Sequence, residues 1–125
     1  MKNKRWLFKW HIKQYNVSCF YCGKPAEEID HVIPKKHLKN IKIDKRRILL
    51  IQSCSECNRL LHDSYQNSLE ERKQELKNRL KRKYKKFLEM PNWTQEEINE
   101  LGPVLKQNIL IAQEYKKITN ERLKW

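Results

Sequence analysis

Cys19-Phe20-Tyr21-Cys22-Gly23 and Cys54-Ser55-Glu56-Cys57-Asn58 are the two stretches on which the reading of this chain turns. Two residues between cysteines let both thiolates reach one tetrahedral ion from a single turn. Two such knuckles complete a four-sulfur shell of Cys19, Cys22, Cys54 and Cys57. A closed shell of this kind leaves no open coordination position, so the expected Zn2+ is structural. Gly23, directly after the second cysteine, suits the tight turn a knuckle needs. The interval between the two pairs is longer than in a plain zinc ribbon, and it holds Asp30 and His31.

The rest of the composition fits a small metal-stapled fold. The chain has 125 residues, 38% hydrophobic and 34% charged. A core that thin usually needs a metal or disulfides in support. The N-terminus is basic but lacks an apolar h-region, so it is not read as a signal peptide. A reducing cytoplasm is the expected location, and there four cysteines serve as metal ligands more often than as disulfides. No run of about 18 apolar residues occurs, so no membrane span is expected. The net charge of +13 predicts an affinity for polyanions.

The sequence divides at about Asn67. Residues 1–66 hold all the cysteines and histidines and read as a compact module. Residues 67–125 read as a basic helical extension for DNA binding or dimerisation. A short helix is expected over 5–15. Glu28 to Ile33 reads as a strand stopped by Pro34, and Ile48 to Ile51 as a buried strand. The lysine-rich 35–45 segment lies between them as a loop. A helix opens at the second knuckle. Ser68 with Glu71 and Thr94 with Glu97 have the form of capping boxes. Leu69, Leu76, Leu80, Tyr84, Phe87 and Leu88 recur at helical spacing, opposite a face carrying Arg72, Lys73, Lys77, Arg79, Lys81, Arg82, Lys83, Lys85 and Lys86. Pro91 ends that helix. Pro103 stands where a first helical residue belongs, and Leu105, Ile109, Ala112, Tyr115 and Ile118 are expected on the apolar side of the last helix. Trp93 and Trp125 read as packing anchors.

Asp30-His31-Val32-Ile33-Pro34 is similar to the D-H-x-x-P signature of HNH nucleases, and Cys54-Ser55-Glu56-Cys57-Asn58 to their C-x-x-C-N signature. The full order resembles phage endonuclease VII-type junction resolvases and zinc-bound HNH restriction nucleases, over roughly residues 15–65. The resemblance implies an α+β fold: a small zinc-stapled ββα-metal module, a β-hairpin plus helix, with a helical C-terminal extension. It further implies a metal-dependent endonuclease acting on duplex or branched DNA, in a bacterial or phage-infected cell. Asp30 and Asn58 would ligate a catalytic Mg2+ or Mn2+, and His31 would be the general base. His62, four residues after Asn58, is similar to the second helical ligand of colicin-type HNH nucleases. It reads either as a third ligand or as a phosphate contact. Where many relatives carry Gly-Gly a few residues after the proline, Lys35-Lys36-His37-Leu38 stands here.

The residue types suit that chemistry. A hard cation with oxygen ligands relieves charge on a phosphodiester. A neutral histidine, with a pKa of about 6.5, can take a proton from water near neutrality. Asp30 and His31 are neighbours, and neighbours in a regular strand face opposite sides. They can share a site only where the strand bends or ends. Arg46, Arg47 and Arg59 are candidates for holding the scissile phosphate, and Lys73, Lys77, Lys81, Arg82 and Lys85 for tracking the backbone. Resolvase relatives act as dimers, which makes a homodimer one reading of the apolar helix faces. The competing reading is a non-catalytic zinc-finger protein that binds nucleic acid through its basic helices. An RNA-binding role is a third, because charge alone does not separate RNA from DNA.

Overall fold

The computed structural model describes residues 16–32 and 50–125. The helix expected over 5–15, the loop over 35–45, and His11, Pro34, His37, Arg46, Arg47, Ile48 and Leu49 lie outside the described residues.

The first knuckle folds on itself. Gly23 N–H donates to Cys19 C=O at 3.0 Å, and Ala26 N–H to Val17 C=O at 2.8 Å. Ser18 and Pro25 form an isolated antiparallel bridge. Gly23 sits at φ +78°, a conformation that costs a residue with a Cβ. The chain then enters β1 (Glu28–His31), which pairs antiparallel with β2 (Leu50–Ser53) in the register Glu28 with Ser53 and His31 with Leu50. Phe20 N–H donates to Gln52 C=O at 3.1 Å and ties the knuckle to β2. Asp30 pairs with Ile51 and His31 with Leu50 inside the ladder, so the two neighbours stand on opposite faces of the strand rather than at a bend that brings them together.

Cys54 caps α1 (Ser55–Leu61), its sulfur accepting from the Cys57 backbone N–H. The helix stops when His62 turns to φ 44°. Ser68 caps α2 (Leu69–Lys83) by accepting from Glu71 N–H at 3.1 Å. The expected box is half-made, because the Glu71 carboxylate accepts from Asn67 N–H rather than from Ser68. The long helix expected up to Pro91 breaks at Tyr84 and resumes as the short α3 (Lys85–Leu88). Thr94 and Glu97 make the complete capping box of α4 (Gln95–Asn99). α5 (Pro103–Lys124) begins with Pro103 in its first turn. Among the described residues no helix is long and apolar enough to cross a membrane.

The protein is therefore a small α+β molecule built on a two-stranded hairpin, helices and a cluster of four cysteines. Its core runs from the cysteines and Tyr21 through Val32, Ile51 and Leu61 to Leu76 and Leu80 of α2, with Leu123 of α5 packed against it. Burying a leucine of this kind contributes about 1.5–3 kcal/mol. The face of α5 differs from expectation. Leu105, Tyr115 and Ile118 are exposed, while Thr119 and Arg122 are buried. Arg122 makes polar contacts at the C-terminal end of the helix, described below, while Leu123 packs on the core and Tyr115 stacks on Phe87 at 5.2 Å.

Candidate metal centre

Cys19, Cys22, Cys54 and Cys57 converge from the knuckle and from the start of α1. Their sulfurs lie within 4.8 Å of one another, and all four residues are buried. Cys22 Sγ and Cys54 Sγ are 3.7 Å apart. A tetrahedral site with Zn–S bonds of about 2.3 Å separates its sulfurs by about 3.8 Å, so the donor set fits zinc. The thiols also conflict without a cation. Cys19 is driven far down by hydrogen bonds from Cys22, Cys54 and Cys57, while Cys54 and Cys57 are driven up by Cys19 and Cys22. Thiolates packed this closely in a buried pocket repel one another, and a dication offsets that charge. Zinc bound here would be structural, closing the knuckle onto α1.

The C-terminal end of α5 covers the cluster. Arg122 Nη2 approaches Cys57 Sγ at 3.7 Å, and Arg122 Nη1 pairs with the Glu56 carboxylate. Burial alone would lower the Arg122 pKa; the Cys22 thiolate and Glu56 hold it up. Glu56 also accepts from Lys83 Nζ at 2.6 Å and from the Tyr84 hydroxyl. Burial pushes its carboxyl up, but Lys83, Tyr84 and Arg122 outweigh that and bring it to about 2. One turn on, the Trp125 indole lies against Gly23 so closely that a Cβ there would stand 2.4 Å from the ring.

Asp30 takes up a different environment from the one expected of a solvent-facing ligand. It is 2% exposed, and both its oxygens are engaged. Arg72 Nη2 donates to Oδ1 and Arg72 Nε to Oδ2, each at 3.0 Å, and the Tyr21 hydroxyl donates to Oδ2. Arg72 Nη1 continues to Ser64 C=O at 2.8 Å and Gln66 Oε1 at 3.0 Å. Arg72 is itself fully buried, so it leaves the solvated basic face on which helical spacing had set it. The signal was present: Arg72, Leu76 and Leu80 are four residues apart, which is the spacing of the buried stripe.

Asn58 sits on the face of α1 toward the hairpin, where its Nδ2 donates to Glu28 Oε2 at 2.7 Å. His62 does not share that face. Its backbone N–H closes the helix on Asn58 C=O at 2.9 Å, and its ring is 79% exposed, 3.3 Å from Asp63. The positive φ at His62 turns the side chain out of the helical row, so Asn58 and His62 are not brought together. His31 is half-buried at the end of β1. As the side chains stand, Asp30 and Asn58 do not fit a shared hard cation, because the Asp30 carboxylate is already neutralised by Arg72.

The expected basic face also divides. Lys73 lies 5.2 Å over the Phe20 ring. Lys77 is half-buried, and Arg59, Lys81, Arg82 and Lys85 are exposed. Residues that sequence reasoning passed over, Glu28, Glu56 and Arg122, hold the principal polar contacts around the two motifs. For Glu56 the signal was its position between two ligands; for Arg122 there was none, since its contacts span 65 residues. Comparison with family models, curated proteins and solved structures finds no match to this chain.

Proposed function

We propose that this chain is a metal-dependent endonuclease that hydrolyses phosphodiester bonds in DNA. The observation that carries the reading is the order of parts around the cysteine cluster. Asp30 and His31 end the first hairpin strand, and Asn58 lies on the helix that follows the second, its amide bonded to Glu28 of that first strand. The D-H-x-x-P and C-x-x-C-N motifs supply the ββα-metal reading, and this order of parts supports it. In this reading His31 takes the proton from the attacking water, which a neutral imidazole can do near neutrality. Mg2+ or Mn2+ would supply relief of the phosphate charge. Asp30 is held by Arg72 and, as it stands, does not offer that ion a free carboxylate. The chain would act in the cytoplasm of a bacterial or infected cell.

One observation favours a second reading, a non-catalytic zinc module that binds nucleic acid. It is the complete engagement of Asp30 by Arg72 and Tyr21. The test is cleavage of supercoiled plasmid with Mg2+ or Mn2+, beside an EDTA control and His31→Ala. Metal-dependent nicking that disappears in His31→Ala, with zinc content and DNA binding retained, supports the nuclease. Binding without cutting on duplex, branched or single-stranded DNA supports the second reading.

A further inference from the structure

One region of the described surface brings four cations together. Where α1 crosses α2, two depressions of about 210 Å3 and 440 Å3 share Leu60 as a common wall. The first is flanked by Arg59 and Lys83, the second by Arg79 and Arg82. These four cations face two carboxylates, Glu56 and Glu75, and both acids are already compensated. Glu56 is neutralised from the core side by Arg122 as well as by Lys83. Glu75 is shared between Arg79 at 2.9 Å and Arg82 at 3.4 Å. Arg59 makes no ion pair among the described residues and is exposed. The groove therefore has a net positive lining with little acid left to repel an anion.

The lining is also held in place. Arg79 donates to the Leu60 carbonyl, which fixes it across the junction of the two helices. Lys83 is tied to Glu56 at 2.6 Å. The heads of Arg59 and Arg82 stay accessible at the rim, Arg82 with 72% of its side chain exposed. Two tethered cations, Arg79 and Lys83, beside two exposed guanidiniums, Arg59 and Arg82, match a run of successive phosphates better than a single small anion. Guanidiniums suit phosphate through their planar fork of donors. The exposed Lys81 and Lys85 lie elsewhere on the basic helices and line neither depression.

We infer that the α1–α2 groove is the seat of the nucleic-acid phosphate backbone, with Arg59 and Arg82 as its contacts, while Lys81 and Lys85 lie off the track. This rests on the nucleic-acid reading above but not on cleavage. It assigns binding to a surface rather than to the whole basic helix.

The test is equilibrium binding of the full-length, zinc-loaded chain to a short labelled DNA duplex, and to an RNA hairpin as a second arm, across a salt series. Arg59→Ala/Arg82→Ala is compared with Lys81→Ala/Lys85→Ala and with the charge-keeping Arg59→Lys/Arg82→Lys. Zinc content and thermal midpoint confirm that each variant is folded. Loss of each phosphate contact lowers the salt slope by about one. The groove variant should lose about two from that slope and about tenfold or more in affinity, the lysine variant should keep the slope, and the Lys81/Lys85 variant should match the parent. Equal binding by the groove variant and the parent, or a loss confined to the Lys81/Lys85 variant, overturns the assignment and leaves nucleic-acid binding intact. No binding of either probe by the parent overturns both. Loss on one probe alone supports the groove and names the strand chemistry it accepts.

Discussion

Arg72 and Asp30, 42 residues apart, meet in the core as a two-point ion pair in which neither side chain is more than 2% exposed. The pair joins α2 to the hairpin at a position where an apolar contact would otherwise stand. Tyr21 completes it from the knuckle side, and Ser64 and Gln66 satisfy the remaining guanidinium edge. A buried charge that has lost its partner is costly, whereas a buried pair with all its hydrogen bonds made is not.

Removing one member should therefore be severe. Arg72→Met leaves Asp30 buried without its cation and should cost about 3–5 kcal/mol in urea unfolding. The double variant Arg72→Met/Asp30→Leu should recover much of that loss. If the two single costs simply add in the double variant, the side chains are not coupled as described.

Alkaline pH should act on the same group. Burial, then the Asp30 charge, raises the Tyr21 phenol well above its ordinary value of 10.0. In the unfolded chain the phenol ionises near that ordinary value; in the folded chain it stays protonated. The folded state thus binds more protons above about pH 10, and stability falls as pH rises from there toward the folded pKa. It is fully present below pH 10. Tyr21→Phe should be less stable at neutral pH and should lose the part of the alkaline decline that belongs to this residue. An unchanged decline between the two proteins would assign it to other groups.

Zinc and the end of α5 should prove linked. The purified chain should carry one zinc, and a strong chelator should unfold the knuckle because the metal supplies folding free energy. Amide exchange should then rise at Cys19 to Gly23 and also at Thr119 to Arg122, since Arg122 is seated on the cysteine cluster. Arg122→Met, which removes a charge-assisted contact, should cost about 1.5–3 kcal/mol and speed zinc release. Unaltered exchange at the C-terminal end after zinc removal would break the link.

Gly23 and Trp125 should behave as one unit. Gly23→Ala introduces a Cβ at φ +78° and into the indole ring, so it should cost more than the about 1–2 kcal/mol of the backbone conformation alone. In a Trp125→Ala background the same change should cost only the backbone part. Thermal denaturation of the four proteins measures the difference, and equal costs in both backgrounds would mean that the ring does not press on the turn.

Much of the metal centre was legible because its information is local. Two-residue spacing puts Cys19 with Cys22 and Cys54 with Cys57, and Gly23 marks the turn. The capping residues Ser68 and Thr94, and Pro103 in the first turn of α5, act within one helical turn of themselves, so their positions could be read directly. Leu76 and Leu80 followed from helical spacing. Arg72 occupies the same spacing, but its side-chain type argued for solvent, and only a carboxylate brought from β1 makes its burial affordable in free energy.

Sequence by itself determined the four-cysteine cluster, the hairpin-and-helix order and the basic balance of the chain, since these depend on residue type and near neighbours. Tertiary structure alone decided that Asp30 is held by Arg72, that His62 turns away from Asn58, and that Arg122 of α5 reaches Cys57 and Glu56. Each of these turns on a pairing of charges across distant segments or on a single backbone angle at a helix end. A buried ion pair forms only when both partners arrive together, and no periodicity in the chain encodes that meeting.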